Sequence, residues 1–162
     1  MQLVVSRIVF MDIQLSKQAE SAWITLMRTQ QLLLIKVEAE LKAAGLPPLA
    51  WYDVLLELSR DSEAGLRQFE IAQRVLLNKY NLSRLIDRLQ NEGLVKRQAC
   101  DDDGRGNIVK ITKKGLQLKQ QMWPVYAAAI QNLIADSLNS QQLKSLTELM
   151  RLLATPHLTT PA

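Results

Sequence analysis

The sequence has 162 residues, enough for one substantial core and too few for a recognition lobe plus a separate sensing domain with a core of its own. Its 48% apolar content is that of an ordinary folded protein. No uncharged apolar run of about 18 residues could cross a bilayer, and the single cysteine, Cys100, excludes an intrachain disulfide, so a soluble, cytoplasmic protein with no membrane partner is expected.

Charge is unevenly spread within a formal total of +4: residues 67–114 hold eleven Lys/Arg against six Asp/Glu, and the rest of the chain nine against ten. That imbalance would steer a polyanion toward the middle third.

In chain order, residues 1–15 form an N-terminal arm. Arg7 interrupts its apolar run and no small-residue cleavage pattern follows, so it is read as an arm or as residues upstream of a start at Met11. Ser16 is a candidate N-cap for a long helix to about Ala43, in which Trp23, Leu26, Met27, Leu33, Leu34, Val37 and Leu41 recur every three to four residues. Gly45 and Pro47-Pro48 stop it. A second helix is expected from Leu49 to Ser59, with Trp51, Val54, Leu55 and Leu58 inward, then a polar turn to Gly65.

Arg67 to Val75 reads as a short helix with Ile71 and Ala72 inward. Asn78 caps the next, Lys79 to Glu92, in which Leu82, Leu85, Ile86 and Leu89 make one apolar stripe while Tyr80, Ser83, Arg84, Asp87 and Arg88 fall outside it. After Gly93 the period changes to that of strands: 94–99 and 106–111 flank the polar segment Cys100 to Arg105. Thr112 caps a helix over 113–135 that Pro124 is expected to kink or break. A last amphipathic helix starts near Ser140, presents Leu143, Leu146, Leu149, Met150 and Leu153, and ends before Pro156.

The expected fold is mainly α with a small β-hairpin wing. A winged helix-turn-helix lobe over 49–111 lies between long dimerisation helices at 16–48 and 112–154, followed by a tail, 155–162, in one compact domain. Such a lobe positions side chains rather than making bonds. The helix from Lys79 would enter the major groove, with Lys79, Arg84 and Arg88 on phosphates or guanine edges and Tyr80, Asn81 and Ser83 supplying contacts near its start. Arg105, between Gly104 and Gly106, would enter a minor groove, and Asp103 is placed to orient it.

Catalysis is not expected. The one histidine, His157, lies in a Thr/Pro-rich tail, no phosphate-cradling glycine loop occurs, and Asp101 to Asp103 lack the partners a metal site needs, so no cofactor and no metal are assigned.

Residues 66–115 resemble the DNA-binding lobe of the multiple-antibiotic-resistance regulator (MarR) family, and the flanking helices extend the likeness to about 16–154. It is carried by Ile71-Ala72, by Leu82-Ser83-Arg84-Leu85-Ile86-Asp87-Arg88-Leu89, by Gly93-Leu94-Val95-Lys96-Arg97, by Asp103-Gly104-Arg105-Gly106, and by Val109-Lys110-Ile111-Thr112-Lys113-Lys114-Gly115. The resemblance implies that Ser83 and Arg84 face the groove, that Arg105 is the wing-tip arginine and that Asp103 orients it. It implies a homodimer built on the first and last two helices, binding double-stranded DNA with an imperfect palindrome.

It also implies a repressor relieved when a small aromatic or phenolic anion enters a cleft, for which Trp23, Met27, Trp51, Tyr52, Trp123 and Tyr126 are the candidate lining. Two positions depart from the pattern: Arg67 stands where a capping Ser/Thr is usual, and Asn78 replaces a serine. Cys100 lies on the hairpin, away from the first helix where a redox-sensing branch of the family carries its cysteine. The rival reading is a winged-helix lobe that regulates by binding a protein, without sequence-specific DNA contact.

Overall fold

The computed structural model describes residues 14–75, 79–99 and 107–158, and the side chains of all of these except 79–81 and 155–158. Six α-helices and three short strands are described: α1 Lys17–Ala43, α2 Leu49–Arg60, β1 Leu66–Arg67, α3 Gln68–Arg74, α4 Lys79–Asn91, β2 Val95–Ala99, β3 Asn107–Ile111, α5 Lys113–Ile130 and α6 Ser140–Leu158. The chain divides into two compact units, 1–34 and 35–162, the division falling inside α1.

In the first unit, Ser16 Oγ accepts from the Ala19 amide at 3.1 Å, the N-cap its sequence suggests. None of residues 14–34 is buried, and Leu15, Trp23, Ile24, Met27, Leu32 and Leu34 are exposed.

The second unit holds two apolar clusters on either side of α2. Val54, Leu55 and Leu58 pack with Ile71 and Val75 of α3, Leu82, Ile86 and Leu89 of α4, and Val95, Val109 and Ile111 of the sheet. Tyr52 instead joins Val37 and Leu41 of α1 and Met122 and Ala129 of α5. Helical spacing turns position 52 well away from positions 54 and 58, with Leu55, one turn on from Tyr52, packed into the first cluster. Buried Glu57 is paired with Arg60 at 2.8 Å, and Asp61 is ion-paired to Arg74, tying the end of α2 to α3.

The sheet is antiparallel throughout, in the order β1-β3-β2, with Val95 opposite Ile111 and Ala99 opposite Asn107. Together α2, α3, α4 and this sheet make the winged helix-turn-helix.

Besides shifts of one residue at the ends of α2, α4 and β2, the structure departs from the sequence reading in four places. β1, two residues long, is too short for any periodicity to announce; it pairs Leu66 with Val109 and makes the hairpin a three-stranded sheet. α3 therefore begins one residue late. Arg67 has no acceptor with which to cap it, and the cap works in the other direction: Glu70 Oε2 accepts from the Arg67 amide at 2.6 Å.

α5 does not break at Pro124. Pro124 and Gln120, whose carbonyl loses its partner, are both exposed, so water can satisfy that group while Met122 and Ala129 hold the helix in the core. The irregularity comes later, as a π-helical turn over Gln131–Ala135. α6 runs through Pro156 to Leu158; the carbonyl released there belongs to Leu152, which is 70% exposed.

The joint between α4, the sheet and α5 is tightly built. Gly93, at φ +71°, closes α4: its amide donates to Gln90 O at 2.9 Å and the Leu94 amide to Leu89 O at 2.9 Å. Thr112 Oγ1 accepts from the Gly115 amide at 3.1 Å and donates to Gly93 O at 2.7 Å, so one hydroxyl caps α5 and holds the end of α4. A Cβ on Gly115 would lie 2.2 Å from Leu94 O and 2.8 Å from Ile111 Cγ1. Gly115→Ala is therefore expected to cost about 1–3 kcal/mol by overpacking against backbone. Thermal unfolding would check it, at roughly 2–4 °C per kcal/mol for a chain of this size; an unchanged midpoint would mean the joint yields freely.

Candidate nucleic-acid interface

α4 owes its exposed face to its buried one. Leu82, Ile86 and Leu89 are at most 2% exposed and Leu85 is partly buried, so the helix is anchored along one side. Ser83, Arg84, Asp87 and Arg88 lie exposed on the other. Neither Arg84 nor Arg88 has an ion pair or hydrogen bond with another described residue. Two guanidinium groups at i and i+4 on an anchored helix, exposed to solvent, can meet phosphates or guanine edges. Lys79, Tyr80 and Asn81 form the first turn of α4; their side chains lie outside the described residues.

The two wing strands pair over five residues each. Segment 100–106, with Cys100, Asp103 and Arg105, lies outside the described residues. Two features of the described wing were not legible in the sequence. Lys96 stands directly opposite Lys110 on one face of the ladder, a like-charge pairing that is unfavourable alone and that an anionic partner would offset. Arg97 reaches across to α4, its Nη2 on Asp87 Oδ1 at 2.6 Å and its Nη1 on Gln90 Oε1 at 2.7 Å. No spacing rule signals a pair formed between a helix and a strand across an intervening turn.

Of the six residues assigned to an effector cleft, three come together. The Tyr52 ring lies 5.3 Å from Tyr126, edge-on, and 6.1 Å from Trp123, stacked, and Trp123 meets Tyr126 edge-on at 6.1 Å. Burial pushes both tyrosine phenols above their ordinary pKa, with a further upward push on Tyr52 from Tyr126 and on Tyr126 from Asp53. Both therefore stay protonated hydrogen-bond donors at neutral pH.

Tyr52 and Trp123 also line an open cavity of about 300 Å³ with Lys119 and Gln120, and the Lys119 ammonium donates to Ser59 Oγ at 3.0 Å. Trp51 turns instead to the cluster around Leu55 and Ile71. Trp23 and Met27 are exposed on the first unit.

A MarR family model matches residues 44–106. An HTH-type transcriptional regulator of Bacillus cereus is 30% identical over 101 residues, 62% of this chain, and a Bacillus anthracis protein of the same description matches equally. The match spans 65% of the length of these relatives. Among solved structures, a MarR family regulator of Streptomyces coelicolor in complex with DNA superposes with a TM-score of 0.80 at 26% identity, covering 91% of this chain and 95% of that one. AbsC, a MarR family regulator of the same organism, gives 0.79 at 26%, covering 91% and 99%.

Proposed function

The chain belongs to the MarR family of winged helix-turn-helix transcriptional regulators, whose members generally bind DNA as dimers and often respond to ligands, and on that premise we propose that it is a homodimeric, sequence-specific binder of double-stranded DNA. The observation that carries this is the anchored helix α4 with Arg84 and Arg88 exposed and without an ion pair among the described residues. α4 reads the major groove, Ser83, Arg84 and Arg88 with Lys79, Tyr80 and Asn81 being its contacts, and Arg105, oriented by Asp103, enters the neighbouring minor groove.

Selection of duplex fragments from a random pool tests this. The expected product is an imperfect palindrome whose half-sites are centred about one helical turn, ~34 Å, apart. A pool that stays random would favour the rival, a lobe that regulates through a protein partner.

Regulation is the second part of the proposal: a repressor released by a small aromatic anion. The support is the Tyr52, Trp123 and Tyr126 cluster beside Lys119, which offers ring faces, phenol donors and an ammonium to one planar acid. Substituted benzoates and phenols are expected to quench tryptophan emission and lower DNA affinity, with both effects reduced in Trp123→Ala. Quenching that survives in that variant would move the ligand elsewhere.

A further inference from the structure

We infer that Arg97 is a positioning residue for DNA recognition, fixing how the reading helix is rolled and pitched against the wing. This rests on the reading of α4 proposed above.

The buried stripe of α4 sets which face turns to the core, but apolar packing is not directional and leaves the last few degrees of roll and pitch to be fixed by a directional bond. Arg97 supplies the directional element. It sits at the centre of β2, opposite Val109. Its planar guanidinium extends two donors in fixed relation, one to Asp87 Oδ1 at 2.6 Å and one to Gln90 Oε1 at 2.7 Å. Asp87 and Gln90 are three residues apart, on neighbouring positions of one helix face, so the sheet grips α4 at two points rather than one.

The same bond neutralises Asp87, the one acidic residue in α4 and a close neighbour of Arg84 and Arg88. The Asp87 side chain is 55% exposed and that of Arg97 23%. A pair so accessible adds little to stability, so its consequence falls on the orientation of α4.

The experiment compares affinity for the selected duplex, single-base discrimination and thermal midpoint in wild type, Arg97→Lys, Arg97→Gln and the double variant Asp87→Asn with Arg97→Gln. For Arg97→Gln the midpoint is expected to stay within a few degrees of wild type. Specific affinity is expected to fall about tenfold or more, the scale of one lost bidentate base contact, while binding to random duplex at low salt changes little. Lysine keeps the charge without the fork and should recover only part of the loss.

The double variant separates the two roles of the bond. If Arg97 only cancelled the Asp87 charge, removing both would restore wild-type affinity; positioning requires that affinity and discrimination stay low. Full recovery in the double variant, unchanged recognition in Arg97→Gln, or an Arg97→Gln protein that fails to fold would each overturn the inference. A wild-type protein that selects no duplex would overturn the DNA reading itself and this inference with it.

Discussion

Replacing Arg84 and Arg105 together by alanine is expected to abolish binding to the selected duplex while dimer mass and helical content stay unchanged. Arg84 is exposed on α4 with no described partner, so its removal leaves no buried charge behind and no hole in the core. Arg105 enters from the sequence pattern of the hairpin. A well-placed arginine contact contributes about 1–3 kcal/mol of discrimination, and a two-fold dimer presents each one twice. Lost together, they are comparable with the ~4–10 kcal/mol that separates specific from non-specific binding. Electrophoretic mobility shift and sedimentation check the two halves of the expectation, and retained affinity would remove these side chains from the interface.

The second large effect is expected at the dimer. Leu146, Leu149, Met150, Leu152 and Leu153 are all exposed in the single chain, and Leu149 and Leu153, both 57% exposed, lie four residues apart on α6. A run of this kind is the surface a second copy would cover. Leu149→Asp with Leu153→Asp should therefore yield a folded monomer, because neither side chain belongs to the core clusters of its own chain.

DNA affinity should drop about 10²–10⁴-fold, the scale of gain that comes from making the second half-site contact intramolecular. Sedimentation at a series of concentrations decides it. A variant that remained dimeric would place the interface away from this face of α6.

How much could be read in advance depended on how local the signal was. The α4 stripe was legible because its period repeats over two turns, and the Ser16 and Thr112 caps because a cap is set by one hydroxyl near its own helix. β1 was not, since its two residues gain strand geometry only by pairing with Val109 and Ile108. That the helix continues past Pro124 was not legible because the sequence does not say that the freed carbonyl is solvated or that Met122 and Ala129 pin the helix on the opposite side. Within the site, the outward placing of Ser83, Arg84, Asp87 and Arg88 followed from periodicity, whereas the Arg97 fork and the facing Lys96 and Lys110 depend on strand register.

The aromatic cluster was legible in part. Six aromatic or sulfur-bearing positions were candidates by helix alone, and which of them meet is decided by helical phase: Tyr52 turns to Trp123 and Tyr126 while its neighbour Trp51 turns the other way.

A positively charged helix and wing, presented twice, are expected to engage the phosphate backbone of one duplex. Measuring affinity for the selected duplex between 50 and 200 mM salt tests it most directly. A dimer making about 6–10 phosphate contacts should lose ~10³–10⁵ in affinity across that range, with a linear log–log plot, as counterion release requires. An affinity that hardly changed with salt would contradict it and leave the lobe as a docking surface for protein.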